Sequence, residues 1–224
     1  MSDPVQRGRR SVCIIGAGAA GLTLADALAR AGWRVILVEG GGARPAPALE
    51  DTYRVTMLGT PHRGAHEGRF RALGGSTTRW GGQLWPWERH EFEPRPWLGL
   101  DGWPIAHDEV APYYDAAFAL LGIRRGSLTP DAAAAHGVQL PPLDPERFAL
   151  KYSVWLPWRR RNLARVFGAS LRGPSVDLRL GTTAVGIEMS GGRATGVRVQ
   201  LPGGGEELIG ADLVVIAAGA IETS

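Results

Sequence analysis

Residues 11–39 read SVCIIGAGAAGLTLADALARAGWRVILVE, and this stretch carries the strongest prediction of the fold class. A short apolar run, SVCII, leads directly into the glycine pattern GAGAAG, and an Ala- and Leu-rich helical pattern follows. A second apolar run, WRVILVE, is rich in β-branched residues, which is typical of a buried parallel strand. Two strands joined by so short a helical crossover are parallel and connected in the right-handed sense. The stretch therefore predicts a βαβ unit.

The glycine spacing in this unit is typical of a dinucleotide-binding turn. Gly16 allows a tight turn, Gly18 lets the backbone approach a diphosphate, and Gly21 lets the helix pack closely on the strand. The free N–H groups and the dipole at the start of the helix favour an anion there. Glu39 ends the second strand and is placed to accept hydroxyl hydrogens from an adenosine ribose. A glycine-rich turn in a protein without a nucleotide is the alternative.

The composition is that of an ordinary globular protein. Of 224 residues, 44% are hydrophobic and 21% are charged, which excludes wholesale disorder. The net charge of +3 is too small to indicate binding of nucleic acid. The sequence predicts no membrane span, because no run approaches about 18 apolar residues. It also predicts no metal site, because Asp and Glu show no metal-ligand spacing.

Cys13 is the single cysteine of the chain, and it lies within the first apolar run. This position predicts a buried and unreactive thiol. One cysteine excludes an internal disulfide framework and fits a cytoplasmic compartment.

The middle of the chain lacks a sustained period. Residues 40–103 are rich in Gly, Pro, Arg and Trp, which favours a long irregular segment that covers a ligand. Five tryptophans fall there, and we expect them to form core beneath the loop rather than a platform for sugar stacking: Trp80, Trp85, Trp87, Trp97 and Trp103.

Helical patterns return further along. Residues 108–121 predict a helix that Gly122 ends. Residues 124–175 form an excursion of uncertain structure, in which 158–167 resemble a basic helix. The arginines at 159–161 favour a solvated helix face over a nucleic-acid site.

From residue 176 onward, short apolar runs alternate with glycine-rich turns. This pattern predicts a small β-meander that ends in the apolar strand 213–217. The small residues after that strand would allow a cofactor to lie against its carboxyl end. An ordinary core strand is the alternative. The loop LGGSTTRWGG, residues 73–82, likewise suits close approach of the backbone to a ligand, with a mobile surface loop as its alternative.

In this order, GAGAAG, LGGSTTRWGG and LVVIAAGAIETS resemble the N-terminal part of the glucose–methanol–choline (GMC) family of FAD-dependent oxidoreductases. The stretches GWPI, residues 102–105, and GGRATGVRV, residues 191–199, are similar to that family as well. The resemblance implies an α/β fold of the Rossmann-like FAD/NAD(P)-binding type, with FAD as cofactor. TTRWGG is most similar to the branch that acts on sugars and sugar acids.

The resemblance also implies which residues bind FAD. The glycine turn would contact the diphosphate, and Glu39 would bind the ribose. The 73–82 loop would contact the flavin, and residues 184–185 would lie beside the adenine. The complete set is Gly16, Ala17, Gly18, Ala19, Ala20, Gly21, Glu39, Gly74, Gly75, Ser76, Thr77, Trp80, Gly81, Ala184, Val185, Ala218 and Gly219. Some members of that branch attach FAD through a histidine, and Arg79 stands at its place, so we expect non-covalent FAD.

The family's catalytic bases lie near the C-terminus of chains more than twice this length. The histidines of this sequence match no catalytic position of the family: His62, His66, His90, His107 and His136. We therefore expect residues 1–224 to be the N-terminal part of a truncated FAD-binding domain. The substrate domain and the catalytic pair would then be absent, and no residue of this chain is predicted to be catalytic.

Three functions stay open from the sequence. The leading one is FAD-dependent oxidation of a CH–OH donor, a sugar or other alcohol, by hydride transfer to the flavin. The second is a catalytically incomplete dinucleotide-binding fragment or subunit that needs another chain. The third is an NAD-dependent oxidoreductase with the same glycine turn. A missing domain would expose an apolar interface, which predicts oligomerisation or a partner chain.

Overall fold

The computed structural model describes residues 10–46, 53–65, 67–124, 130–135, 137, 139, 141–144, 146–148 and 150–223. Three residues discussed above, His66, His136 and Ser224, lie outside this described part. The chain forms two compact units. Unit 1 consists of Met1–Trp80 and Arg161–Ser224, and unit 2 consists of Gly81–Arg160.

The secondary structure of the described residues follows the chain in this order. The strands are β1 (Ser11–Ile15), β2 (Arg34–Glu39), β3 (Gln83–Leu84), β4 (Val154–Trp155), β5 (Val176–Leu180), β6 (Thr183–Ser190), β7 (Arg193–Gln200), β8 (Glu206–Gly210) and β9 (Leu213–Ile216). The α-helices are α1 (Ala19–Arg30), α2 (Arg89–Phe92), α3 (His107–Leu121), α4 (Pro130–Ala135), α5 (Trp158–Arg161), α6 (Leu163–Val166), α7 (Gly168–Leu171) and α8 (Ala220–Thr223). Single 3-10 turns lie at Arg63–Ala65, Gly75–Thr78 and Pro96–Leu98.

A four-stranded parallel sheet forms the centre of unit 1, with the order β5-β2-β1-β9. β1 and β2 are adjacent and parallel, and α1 connects them, so the predicted βαβ unit is confirmed. Cys13 pairs with Ile36 of β2 on one side and with Val214 of β9 on the other. Parallel strands place all their carboxyl ends at one edge of the sheet, which is where ligands bind in open α/β folds.

The predicted β-meander is smaller than expected. It consists of β6, β7 and β8, which pair antiparallel in sequence order. The flanking strands β5 and β9 belong to the parallel sheet, so the expectation of one meander from residue 176 onward is wrong at both ends. Turn signals between successive strands cannot identify their partners, because a strand after a short turn can also cross back to another sheet.

The core of unit 1 lies between the two sheets. A continuous cluster joins Cys13, Ile36 and Val38 of the parallel sheet to Val197 and Val199 of the meander, with Ile209 and Ala211 beside them. α1 packs against β1 and β2 and buries Leu22 and Ala25. Cys13 is completely buried, as predicted, and burial raises the pKa of its thiol to about 11.

Unit 2 contains the helix predicted near residue 108. α3 runs from His107 to Leu121, and Gly122 ends it in the left-handed conformation, which confirms the prediction. Trp87, Phe92 and Trp103 form a cluster of ring contacts, with centroids 5.2 to 6.2 Å apart.

The tryptophans of residues 81–103 do not form core. Trp97 is 77% exposed, and Trp85, Trp87 and Trp103 are exposed as well. The expectation of core beneath a loop is wrong for these four residues. Residues 81–103 form one two-residue strand and two single helical turns, and such short elements offer little surface against which a large ring can be buried.

The basic helix predicted for residues 158–167 is interrupted. It consists of α5 and α6, because Asn162 adopts an extended conformation between them. The Asn162 side chain accepts the N–H of Ala164 at 3.0 Å and caps α6. An asparagine at this position competes with a continuous helix by capping a new one. No helix of the described residues is long and apolar enough to cross a membrane.

Candidate cofactor-binding site

Two adjoining cavities open at the carboxyl edge of the parallel sheet in unit 1. The small cavity, about 260 Å³, extends from β1 and β2 to Ala184 and Ile187 of β6. The large cavity, about 710 Å³, extends from the start of α1 to Gly75 and Ile221. Both cavities are lined by the same five residues at their boundary, Gly16, Glu39, Tyr53, Ala218 and Glu222. One elongated ligand with two polar halves therefore has room to occupy both.

The glycine turn after β1 is shaped by close approaches of the backbone. Gly16 has φ +100°, and a Cβ there would lie 2.5 Å from the carbonyl oxygen of Ala217. A Cβ at Gly21 would collide with the carbonyl oxygen of Gly16. Gly18 differs, since it lines the large cavity and a Cβ there would meet no protein atom within 4 Å. The space in front of Gly18 is therefore open to the large cavity, next to the N-terminal N–H groups of α1, where an anion is favoured.

Glu39 links the turns that follow β1 and β2. One carboxylate oxygen accepts the N–H of Ala17 at 3.0 Å, and the other accepts the N–H of Gly41 at 2.8 Å. The side chain is 7% exposed, and this burial raises its pKa, while the two amide bonds and the Arg71 guanidinium act in the opposite direction. Each carboxylate oxygen can still accept a second hydrogen bond. Glu39 can therefore receive two vicinal hydroxyl groups of a ligand.

The segment Gly74–Thr77 folds directly over the glycine turn. The N–H of Gly74 donates to the carbonyl of Ala17 at 2.9 Å, and a Cβ at Gly75 would lie 3.0 Å from the Cα of Gly18. The buried Thr77 hydroxyl donates to the carbonyl of Gly74 at 2.6 Å and accepts the N–H of Leu163 at 3.2 Å. The contacts fix this segment as a wall of the large cavity.

The structure brings most of the predicted cofactor residues to these cavities. Those that line at least one cavity are Gly16, Gly18, Ala19, Ala20, Glu39, Gly75, Ser76, Thr77, Ala184, Ala218 and Gly219. Their contact with FAD stays a prediction.

The other predicted residues lie outside both linings. Ala17 and Gly74 act through the backbone bonds described above, and Gly21 faces β1. The Trp80 indole donates to the carbonyl of Arg161 at 2.7 Å. Val185 lies at the irregularity of β6, and Gly81 belongs to unit 2, where its α-carbon faces Trp155.

Several polar residues that line the cavities were not predicted from the sequence, among them Tyr53, Arg69, Arg71 and Glu222. Arg71 donates to the Thr183 hydroxyl at 2.7 Å in the small cavity. Arg69 and Glu222 form an ion pair of 2.7 Å in the large cavity. One signal was available, because two arginines at alternate positions, Arg69 and Arg71, lie shortly before Leu73-Gly74-Gly75. Alternate residues of an extended chain point to the same side.

The geometry fits a dinucleotide cofactor. The open face of Gly18 suits a diphosphate, and Glu39 suits a ribose at the boundary between the cavities. Within the described ranges, no three residues of the types His, Cys, Asp and Glu are grouped as a metal site would require.

Two curated proteins are similar to part of this chain. The paromamine 6′-oxidase of Streptomyces fradiae is 33% identical over 144 residues, covering 55% of this chain and 27% of that protein. The 6‴-hydroxyparomomycin C oxidase of Streptomyces lividus is 31% identical over 140 residues, covering 56% of this chain and 24% of that protein. The matched region thus spans about a quarter of the length of these relatives.

A solved structure with the same fold is that of pyridoxine 4-oxidase from Mesorbium loti. It has a TM-score of 0.63 at 21% identity, and the match covers 96% of this chain and 50% of that chain. At this identity the likeness shows the fold alone.

The family comparison covers nearly the whole chain. Residues 11–222 match the family model described as DAO, FAD dependent oxidoreductase. The match includes β1, the glycine turn, Glu39 and every residue that lines the two cavities except Thr223. The cofactor is FAD, and the chain belongs to the FAD-dependent oxidoreductase (DAO) family.

Proposed function

We propose that this chain is the FAD-binding part of a GMC-type oxidoreductase that oxidises a CH–OH donor, a sugar or other alcohol. The two joined cavities carry the proposal, because Gly16 and Glu39 lie at their shared boundary. The order of the three motifs supports the GMC assignment within the wider family.

The proposal gives each cavity a part of FAD. The small cavity would receive the adenosine, with Glu39 accepting the ribose hydroxyls and Ala184 beside the base. The large cavity would receive the diphosphate at Gly18 and extend towards the flavin past Gly75 and Ser76. When bound, the flavin supplies the site that accepts a hydride from the alcohol. The residues of this chain bind and orient the cofactor, and none is assigned the role of catalytic base.

The substrate class is supported by the names of the curated relatives. One is named as an oxidase of paromamine at its 6′ position, and the other as an oxidase of 6‴-hydroxyparomomycin C. We therefore propose a hydroxyl-bearing small molecule as the substrate of the complete protein. A nucleic-acid partner is not part of the proposal.

Non-covalent attachment of FAD is also part of the proposal. Arg79 stands at the position where some GMC members carry the attaching histidine, and its guanidinium lies 5.4 Å from the ring centroid of Phe70. A guanidinium stays protonated and is a poor nucleophile. The single cysteine supports a cytoplasmic location, which we keep as a proposal.

The domain assignment and the partners extend the same proposal. We assign residues 1–224 to one FAD-binding domain, with residues 40–103 as its cofactor-covering segment. The exposed side chains of Trp97 and Trp158 in unit 2 support a partner chain or a second copy that would cover apolar side chains of this unit.

A visible absorption spectrum of the purified protein, recorded before and after acid precipitation, tests the proposal. We expect flavin absorbance that moves completely to the supernatant. Flavin left in the pellet would contradict non-covalent attachment. Anaerobic addition of sugars, diols or paromamine to the complete protein should bleach the flavin absorbance with at least one alcohol, whereas residues 1–224 alone should hold FAD without being reduced. A complete protein that holds FAD and that no alcohol bleaches would instead favour a dinucleotide-binding protein that needs another chain for catalysis.

A further inference from the structure

Arg69 is held on several sides in the large cavity. Its Nε and Nη2 donate to the carbonyl of Ala65 at 3.1 and 2.7 Å, and Nη2 also donates to the carbonyl of Tyr53 at 3.0 Å. Nη1 donates to the Glu222 carboxylate at 2.7 Å. The guanidinium also lies over the Tyr53 ring, 4.3 Å from its centroid. The side chain is 16% exposed, so a fully charged group is fixed in place and largely withdrawn from water.

One hydrogen of this guanidinium has no acceptor among the described residues. Arginine has five N–H donors, and the contacts above use four of them. The remaining hydrogen is on Nη1, the nitrogen that also contacts Glu222. A preorganised guanidinium with a free donor is suited to bind an oxyanion, because little side-chain entropy is lost when the new bond forms.

The charges that line the large cavity are unbalanced. Glu39 and Glu222 contribute two carboxylates, whereas Arg69 is the one permanently charged cation among the described lining residues, with His62 as the other basic group. A diphosphate placed next to α1 would add two more negative charges. The N–H groups and the dipole of α1 offset part of this charge. A cation that faces the same cavity would offset a further part of this charge.

Resting on the proposed function, we propose that Arg69 binds the diphosphate of FAD and that Glu222 positions it. The glycine turn supplies backbone donors on one side of the cavity, and Arg69 supplies the charge on the other. Glu222 acts through Arg69 by fixing the direction of the guanidinium. Glu222 is thus a positioning residue, and Arg69 is a cofactor ligand outside the glycine motif.

The test measures dissociation constants of the apoprotein for FAD, ADP and adenosine by flavin fluorescence, with the two latter as competitors. Arg69→Ala should raise the dissociation constants for FAD and ADP about ten- to a hundredfold. The dissociation constant for adenosine should change by no more than about twofold. Arg69→Lys should give intermediate dissociation constants, since lysine keeps the positive charge but lacks the paired N–H donors of a guanidinium. Glu222→Gln should weaken FAD by less than Arg69→Ala does. The double variant should be no weaker than Arg69→Ala.

A matched ion pair in the same unit serves as control. Arg179 donates to Glu207 at 2.8 Å and lines neither the small nor the large cavity. Arg179→Ala and Glu207→Gln should leave all three dissociation constants unchanged. Thermal unfolding of each apoprotein separates a folding defect from a binding defect. If Arg69→Ala fails to fold, Arg69→Lys tests the proposal instead. It should lose affinity for ADP and keep its affinity for adenosine.

Two results would overturn the inference. One is FAD and ADP affinity in Arg69→Ala equal to that in Arg179→Ala. The other is an equal loss for adenosine and ADP, which would mean a general distortion of the site. If the unaltered protein itself binds neither FAD nor ADP, the proposed function fails, and that result is distinct from both.

Discussion

Glu39 is the residue that links the strands, the turns and both cavities. Burial raises the pKa of its carboxyl group, and the amides of Ala17 and Gly41 only partly oppose this effect. Ionisation of Glu39 therefore opposes folding. Its contribution to stability is greatest below the pKa of the unfolded chain and is lost as the pH rises through the folded pKa. A ligand whose hydroxyls donate to the carboxylate would favour the ionised form instead.

We expect FAD affinity and apoprotein stability to respond to pH in opposite directions at Glu39. As the pH falls through the raised pKa of Glu39, protonation should weaken FAD binding, because the carboxylic acid accepts ribose hydroxyls poorly. Glu39→Gln should lower the affinity for FAD about tenfold at neutral pH. It should also make the FAD affinity nearly independent of pH across the acidic range. Fluorescence titrations of both proteins across the acidic range provide the measurement. An unaltered pH profile in Glu39→Gln would show that another group titrates.

The thiol of Cys13 should be unreactive in the native protein. It is completely buried between the two sheets, and its pKa of about 11 keeps it protonated at neutral pH. Since the thiolate is the reactive form, native protein should resist a thiol reagent at pH 8 over hours, whereas denatured protein should react with one equivalent. Rapid reaction of the native protein would contradict the packing of β1 against the meander.

At the scale of elements, α1 and its turn separate a packing role from a binding role. Gly21 faces β1, where a Cβ would collide with the carbonyl of Gly16. Gly18 faces the large cavity, where a Cβ would meet no protein atom. The two glycines are three positions apart and belong to the same motif, yet they face opposite sides of the turn.

Substitution of each glycine by alanine tests this division. Gly21→Ala should lower the free energy of unfolding of the apoprotein by about 1–3 kcal/mol, because α1 must shift away from β1. Gly18→Ala should change the free energy of unfolding by less than about 0.5 kcal/mol. It should nevertheless raise the dissociation constant for FAD, because the new methyl group would occupy the space proposed for the cofactor. Urea unfolding and fluorescence titration of both variants measure the two effects. Equal losses of stability would show that both glycines serve packing alone.

At the scale of the whole molecule, stability depends on the layer between the parallel sheet and the meander in unit 1. Ile36 is almost completely buried in this layer and pairs with Cys13. Leu208 lies on β8 of the meander and is 60% exposed. The two residues have side chains of equal volume and opposite burial, so they form a matched pair.

Ile36→Ala should lower the free energy of unfolding by about 2–5 kcal/mol, through lost burial and a residual cavity. Leu208→Ala should change it by about 0.5 kcal/mol or less, as for other surface positions. Urea denaturation followed by circular dichroism measures both. A large loss in Leu208→Ala would indicate that the exposed face of the meander is covered by further protein in solution.

Local sequence patterns were enough to predict those features of the fold that depend on residues close together in the chain. The βαβ unit followed from SVCIIGAGAAG and WRVILVE, because the strand period, the helix and the turn glycines each act over a few residues. The helix ended by Gly122 followed for the same reason. A dinucleotide cofactor was also predictable, since a turn, a helix start and an acidic residue at a fixed distance are all encoded within residues 11–39. FAD itself was implied only by the resemblance of the three motifs to one family.

Only the tertiary structure decided the partners that lie far apart in sequence. β5 and β9 joined the parallel sheet rather than the meander, because strand pairing depends on the path of the whole chain. Trp85, Trp87, Trp97 and Trp103 of unit 2 are exposed, although tryptophan is usually well buried. Arg69 and Glu222 meet across 153 positions of sequence, and no local pattern specifies such a contact. Short-range propensities therefore determined the dinucleotide-binding unit, while long-range packing determined which charges face its cavities.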